Sequence, residues 1–473
     1  MSVPTNVTIE QIPYGTTFPV GQDLMFVISN ATEIANPLHL RVKFVAEVHI
    51  GEQPVTLSAT DDIIGNFKTT PNNAGVGIFN MRNVVENYVK ADHQAALFSK
   101  YKGSGTSANT PHPIHIIDKF SRNENIVRYL GIQFKVEYFD NDISSSTYQQ
   151  TVIGGAQNTA NNYQIFNGYV KHTDELSLSI GNWGKSWPFN IFGSTSRYIT
   201  NAPKTQYANS GDYGTLAIST NTQSSFTNAN HLKITYYDYD GSAYAGTDSL
   251  TLNPANGGYS SWSTKSFKQV LYVGAFPGNL ENWSSNYATA VTGGLSHYEL
   301  KMEDASNTQR MEMFTIYLNC PNTQGYESIR LCWLNQWGAW DYYTFTQKSV
   351  RTISTEGSTY QQLGGTWNES KFSINSSKGG KKAFRRNATE KITINTDFVT
   401  SNYNVMFEEL MNSPEVYMLQ GFQTDKTFSA LNQYVTPVRM LTSSFVKKTK
   451  ANDYLIQYTF EVEKSKTLRT QTV

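Results

Sequence analysis

Apolar and polar residues alternate with a period of two along much of this chain, the pattern of strands buried on one face. In LHLRVKFVAEVHIG (38–51), Leu40, Val42 and Phe44 fall on one face and Arg41 and Lys43 on the other. RYLGIQFKVEYFD repeats the pattern with Ile132, Phe134, Val136 and Tyr138. Near the C-terminus, DYLIQYTFEVE sets Ile456, Tyr458, Phe460 and Val462 against Leu455, Gln457, Thr459 and Glu461. At two places the period lengthens to that of a helix. NMRNVVENYVK spaces Met81, Val84, Val85 and Tyr88 at helical intervals behind a capping Asn80. SNYNVMFEELMNSPEVYML predicts a helix capped by Ser401, with Val405, Met406, Leu410 and Met411 on its apolar face and Glu408 and Glu409 on its polar side. Ser413-Pro414 stops it, because the residue before proline avoids helical backbone.

These elements predict a mainly β fold: several β-sandwich-like domains with few short helices, and a C-terminal part of mixed α+β character. Four segments follow. Residues 1–145 form an N-terminal β-rich domain with one short helix, 146–228 a polar loop-rich insertion, 229–350 a second β-sandwich-like domain and 351–473 the α+β domain. HLKITYYDYDG (231–241) echoes HLRVKFVAEVHIG (39–51), and a Pro/Asn/Gly turn follows each, so a tandem pair of similar sandwiches is one expectation.

Composition narrows the function classes. Lys plus Arg and Asp plus Glu are both 38, and charged residues are only 16% of 473 while aromatics reach 13%. A weakly charged, tyrosine-rich chain suits sheets and protein–protein contact, not a nucleic-acid partner. No apolar run is long enough to cross a membrane. MSVPTNVTIEQIPYG lacks the basic and apolar blocks of a signal peptide, which predicts assembly in a cytoplasm. Cys320 and Cys332 are then expected to be reduced, although their spacing around PNTQGYES also permits a disulfide.

Motifs for chemistry are weak. His112 and His115 form a close pair, but on a strand they point to opposite faces, with no carboxylate or thiol cluster beside them. YYDYDG has Tyr236 where a calcium loop needs Asp, and SKGGKKAF lacks the spacing of a phosphate loop. No cofactor, no metal site, no catalytic residue and no enzyme activity are expected. Lys378, Lys381, Lys382, Arg385 and Arg386 make a local basic excess, read as a loop between ESKFSI and KITINTDF. Phe384 is its one aromatic, whereas single-strand binders interleave several stacking rings with basic residues. Docking on an acidic neighbour is the expected role.

The densest stretch is LCWLNQWGAWDYYTF (331–345). MEMFTIYLN before it and IRLCWLNQW within it predict a hairpin, followed by a tight bend at Gly338. Trp333, Trp340 and Tyr342 would pack the corner, with Asn335 and Asp341 satisfying backbone groups. A carbohydrate platform would instead need Trp333, Trp337 and Trp340 exposed.

Three stretches carry a family likeness: PNNAGVGIFNMRNVVENYV; LNQWGAWDYYTF, with Asn335, Gly338, Asp341 and Tyr342; and EELMNSPEVYML, with Ser413, Pro414 and Val416, together with the strands after it. Together they resemble virion structural proteins of tailed bacteriophages, of the tail or baseplate type. The resemblance touches the first domain, the bend and the C-terminus, and none of its motifs is catalytic. It implies β-sandwich domains, ring or fibre assembly and no enzyme activity. The expected protein is therefore a non-enzymatic tail component in a virion assembled in the host cytoplasm. Its partners would be copies of itself and neighbouring virion proteins. The alternative is a carbohydrate- or receptor-binding protein that uses exposed aromatics on a host-surface glycan.

Overall fold

The computed structural model describes residues 4–472 except 14, 16, 53, 58–61, 95–112, 123–124, 160–161, 172–197, 221–230, 253–268, 305, 321–324, 368, 420–433, 445 and 448–455. The fold is mainly β, with several multi-strand sheets and few short helices, as the alternation predicts. Among the described residues no helix is long and apolar enough to cross a membrane.

The N-terminal sandwich uses β1 (Thr8–Gln11), β2 (Thr17–Gly21), β3 (Met25–Ser29), β4 (His39–Gly51), β5 (Ile63–Thr69) and β6 (Val76–Asn80). The chain then contributes β7 (Phe120–Arg122) to a different sheet, and returns with β8 (Val127–Asp140), β9 (Thr151–Asn158) and β10 (Tyr163–Tyr169). One sheet has the order β1-β3-β6, the other β2-β10-β8-β4-β5 with β9 also on β8. Phe26, Ile28 and Phe79 of the small sheet meet Phe44, Val48, Ile132 and Phe134 of the large one in a shared core. In β8 the alternation holds, with Ile132, Phe134, Val136 and Tyr138 all buried. In β4 a bulge breaks it: Arg41 has φ 56, the register shifts between Leu40 and Lys43, and Leu40 is exposed. Asn80 prepares the short helix Arg82–Val85, its Oδ1 accepting from the Arg82 N–H at 3.1 Å.

Strands β9 and β10 lie inside the stretch 146–228, read from sequence as long polar loops with short strands, and they pair into the N-terminal sandwich. Among the described residues β9 pairs only with β8, and TVIGGAQN offers just Val152 and Ile153 as large apolar residues, the second of them exposed, so the alternation is faint. β10 is short and buried between β2 and β8, so it shows an apolar cluster instead of a period.

A second sandwich holds β11 (Thr205–Ala208), β12 (Thr215–Thr220), β13 (His231–Asp238), β14 (Ala243–Thr251), β15 (Gln269–Gly274), β16 (Leu295–Glu303) and β17 (Phe314–Leu318). Its sheets run β11-β17-β16-β13-β14 and β12-β15-β7. Tyr236, Tyr298 and Ile316 pack with Ile218, Leu271 and Val273 in the largest core. YYDYDG forms the β13–β14 turn, where Asp238 Oδ1 accepts from the N–H groups of Asp240 and Ser242 at 3.0 and 2.8 Å. PANGGYS, the turn that supported a tandem repeat, lies outside the described residues.

The C-terminal sheet contains β18 (Ile329–Leu334), β19 (Trp340–Phe345), β20 (Val350–Gln362), β21 (Gly380–Asn395), β22 (Val416–Leu419), β23 (Val435–Met440), β24 (Thr459–Lys464) and β25 (Arg469–Thr472). Its order is β19-β18-β22-β23-β24-β21-β20, with β25 also on β21. The hairpin expected between MEMFTIYLN and IRLCWLNQW does not form. β17 pairs with β16 and β11, whereas β18 is buried along almost its whole length and needs a strand on each side, β19 and β22. Cys320 and Cys332 are accordingly free, the first exposed and the second buried. A helix, Asn404–Asn412, covers this sheet with Met406, Phe407 and Leu410. It enters through a 3₁₀ turn at Ser401–Tyr403, so Ser401 is not its cap, and it stops at Ser413, whose ψ is 128°.

Candidate functional site

The bend Asn335–Ala339 joins β18 to β19, with Trp333 before it in the C-terminal core and Trp337, Ala339 and Trp340 in the largest core. Asn335 organises it: its Oδ1 accepts from the N–H groups of Trp337 and Ala339, both at 3.0 Å, while its Nδ2 donates to the Ile199 carbonyl at 3.0 Å and to Asp341 Oδ1 at 3.1 Å. Gly338 turns the chain with φ 79°. On the N-terminal side the Tyr169 N–H donates to the Gln336 carbonyl at 2.6 Å.

Trp333, Trp337 and Trp340 retain only 0%, 4% and 2% exposure. Trp337 Nε1 donates to Asn201 Oδ1 at 3.2 Å and Trp340 Nε1 to the Asp92 carbonyl at 2.8 Å. Tyr342 bonds Thr215 Oγ1 at 2.9 Å and His115 Nδ1 at 2.8 Å. These aromatics tie distant segments together and offer no open stacking face. His115 is thereby placed in the core, and burial holds it neutral with a pKa pushed down to about 3. His112 lies outside the described residues, and among those described no group of three or more His, Cys, Asp or Glu side chains could hold a metal.

Beside the bend, Arg330 is almost wholly buried. Its Nε donates to the Tyr213 carbonyl at 2.7 Å, its Nη1 donates to Thr344 Oγ1 at 2.7 Å and reaches Asp212 Oδ2 at 3.3 Å, and its guanidinium lies 4.5 Å from the Phe276 ring centre. Nε and Nη1 are thus engaged while Nη2 is buried without a hydrogen-bond partner, and the ion pair ties β18 to the segment around Asp212 and Tyr213. Sequence reading missed it, because a lone arginine in an apolar strand shows no partner.

Glu409 also departs from expectation. Glu408 lies at the surface end of the helix, held by Lys171 at 3.0 Å and Lys447 at 2.6 Å. Glu409 turns inward beside Asp341, with Asn201 Nδ2 donating to its Oε1 at 2.5 Å. Burial and then the Asp341 charge raise its pKa above the ordinary carboxylate range, and burial raises Asp341 as well. The signal was present in the helix phase: Glu409 follows Met406 by three positions and precedes Leu410, so it shares their face. A cavity of about 690 Å³ opens above it, with Arg82, Glu86, Tyr169, Lys171 and Gln336 among its walls. Asp341 does not line that cavity, so the two carboxylates do not face each other across a groove as a glycosidase pair would.

The basic run is not the loop expected from sequence. Lys378 stands in the turn before β21, and Lys381, Lys382, Arg385 and Arg386 lie on β21, paired with β20 from Gln362↔Gly380 to Gly357↔Arg386. Gly379 and Gly380, with φ 95° and 81°, start the return strand and hid its register in the sequence. The two strands form a projecting arm, since β24 and β25 pair only with the Arg385–Asn395 part of β21. The outer edge of β20 has no partner strand among the described residues. Large apolar side chains stand exposed along the arm, among them Leu363 and Phe384, with Trp367 66% and Ile374 87% exposed at the tip.

Comparison with known proteins adds little. No protein-family model and no curated protein matches the chain. Among solved structures, the native conformation of E. coli alpha-2-macroglobulin aligns over 90% of this chain and 24% of that one, at 7% identity and a TM-score of 0.18. A score that low carries no argument about fold or activity.

Proposed function

We propose that the chain is a non-enzymatic structural protein of a phage virion, a tail component that assembles with copies of itself and docks neighbouring virion proteins through the β20–β21 arm. The virion part rests on the sequence resemblance around Asn335, Gly338 and Asp341. The assembly part rests on the arm. A lone soluble protein keeps large apolar side chains off a projecting two-stranded ribbon and blunts its edge strands. Here Leu363, Trp367, Phe372, Ile374 and Phe384 are exposed together on one arm, and among the described residues the outer edge of the 13-residue β20 has no partner strand. Between Arg351 and Arg386 seven basic residues stand against two acidic ones, so in a chain of zero net charge the remainder is acidic. One copy therefore carries both halves of an electrostatic contact.

The test is the mass in solution. The wild-type chain is expected to form a defined oligomer with interfaces of about 2,000 Å² or more. A variant in which residues 363–379 are replaced by an Asn-Gly turn is expected to run as a folded monomer. A wild-type monomer, or an oligomer indifferent to the shortened arm, refutes the assignment.

One observation favours the receptor-binding alternative at a new place. Trp367 packs edge-on against Phe372 at the arm tip, with ring centres 5.6 Å apart, and both are exposed. Loss of glycan binding in Trp367→Ala at unchanged mass would support that reading instead.

A further inference from the structure

We propose that the cavity between the N-terminal sandwich and the C-terminal sheet binds the end of a neutral glycan, with Tyr169 as its stacking platform. The cavity measures about 690 Å³, within the range of small-molecule sites and roomy enough for roughly two or three sugar rings. Its walls come from both sides. β2, β10 and the 3₁₀ turn Glu86–Tyr88 supply one, and the Asn335–Ala339 bend with the end of the Asn404–Asn412 helix supplies the other.

Tyr169 ends β10 and is 61% exposed, although Gly168 and Val170 on either side of it are buried. Its backbone is fixed. The Tyr169 N–H donates to the Gln336 carbonyl at 2.6 Å, and the residue stands opposite Gly21 of β2. Gly21 leaves the ring its place. A β-carbon there would come within 2.6 Å of Tyr169 Cδ2 and 2.9 Å of its Cα, so the side chain rests on bare backbone. A tyrosine seated in this way offers a large ring at little further entropic cost. The C–H face of a pyranose carries a slight positive charge, which the negative face of an aromatic ring attracts.

Residue types suited to hydroxyl groups line the rest. Asn167, Gln336 and Asn412 carry amides, which both donate and accept, and Glu86 carries a carboxylate able to accept from two neighbouring hydroxyls. The charges of the walls nearly cancel: Arg82 and Lys171 stand against Glu86, Glu408 and Glu409, and Lys171 already bonds Glu408 at 3.0 Å. A phosphate or a polyamine would meet like charge on these walls, whereas a neutral polyol meets none. The cavity shares no residue with the β20–β21 arm, so the failure of this site and the failure of the assembly reading are distinguishable.

Saturation-transfer NMR of the whole chain with maltotriose, mannotriose and chitotriose at millimolar concentration tests the site. At least one of the three is expected to receive saturation at its ring protons. Titration with that sugar should show a loss of affinity of about tenfold or more in Tyr169→Ala, and near-wild-type affinity in Tyr169→Phe, which keeps the ring. If Y169A fails to fold, Glu86→Ala on the exposed turn serves as the second variant and is expected to weaken binding. Binding by Trp367→Ala, at the arm tip, and the mass of Y169A in solution should both match the wild type. The proposal is overturned if none of the three sugars binds, if binding survives both Y169A and E86A, or if it is lost in W367A instead. Inorganic phosphate or spermidine bound through the same residues also overturns it. So does a changed mass in Y169A, which would make the cavity a contact between copies.

Discussion

A β-carbon on Gly338 would sit 1.8 Å from the carbonyl oxygen of Asn167. Gly338 belongs to the β18–β19 bend and Asn167 to β10, so the C-terminal sheet and the N-terminal sandwich meet backbone to backbone. The glycine is required twice over, by its φ of 79° and by this approach. The bend is thus a joint between domains as well as a hairpin turn.

Gly338→Ala and Gly338→Val are therefore expected to part the bend from β10. Positive φ alone costs roughly 1–2 kcal/mol for a residue with a β-carbon, and the steric term adds to it. Gly294→Ala is the matched control, because Gly294 has φ 91° but nothing within 4 Å of its added carbon. Thermal melts should show a small loss for G294A and a much larger one, or no soluble protein, for both Gly338 variants. Equal losses at the two sites would remove the joint from the account.

Trp340→Ala should cost about 3–5 kcal/mol, the usual range for emptying a buried tryptophan site. It also strands the Asp92 carbonyl, which accepts the indole N–H at 2.8 Å, and opens the face of His115, now 4.9 Å from the Trp340 ring centre. The measurement is denaturant unfolding. A variant of unchanged stability that loses only carbohydrate binding would reinstate the stacking platform.

The parts of this fold that were legible in the sequence are those in which one strand or helix declares its own buried face. β8, β24 and the Asn404–Asn412 helix belong here, because Ile132, Phe134, Phe460 and Met406 repeat at the period of their element. What stayed hidden depends on partners far along the chain. β18 reads as half of a hairpin with β17 until its burial on both faces shows that it needs β22, some eighty residues later. β21 reads as a loop because charged residues, not apolar ones, occupy a strand that projects into solvent. Arg330 and Glu409 are polar residues in apolar surroundings, and only Asp212 and Asp341, contributed by other segments, make sense of them.

His115 should make the chain acid-sensitive. Its imidazole is buried against Tyr342 and Trp340, and burial first, then the charges of His93 and Arg330, push its pKa down to about 3. In the unfolded chain it titrates at about 6.5. A depressed folded pKa means that the stabilisation is whole above that unfolded value and is lost as pH falls towards the folded one. His93 contributes with the opposite sign, since its bond to Glu415 raises its pKa, and it is retained in both proteins compared. Urea unfolding at about pH 7 and about pH 5 should show a wild-type loss of about 1.4 kcal/mol per pH unit from this group, absent in His115→Gln. Parallel losses in both proteins would exclude His115 as the cause.

The basic arm gives the last prediction. Lys381, Lys382, Arg385 and Arg386 lie within six positions on β21, and none of them pairs with a carboxylate among the described residues. Lys382 donates only to the Ser377 carbonyl and Arg385 only to Asn387 Oδ1 in the contacts that define the arm. Unpaired like charges on one ribbon repel, so the arm gains by meeting an acidic surface, and the chain outside it carries the compensating negative charge. Phe384 is exposed among them with its ring centre 6.4 Å from that of Tyr360, a single aromatic pair and not a row of stacking rings. A nucleic-acid groove would need more. Replacing the four cations by glutamine should leave the monomer folded, weaken assembly at low salt, and bring wild type and variant together as salt rises and screening shortens the reach of the charges. Light scattering across a salt series measures this. Steep, salt-dependent DNA binding by the wild type, lost in the glutamine variant while its assembly stays intact, would assign the arm to nucleic acid instead.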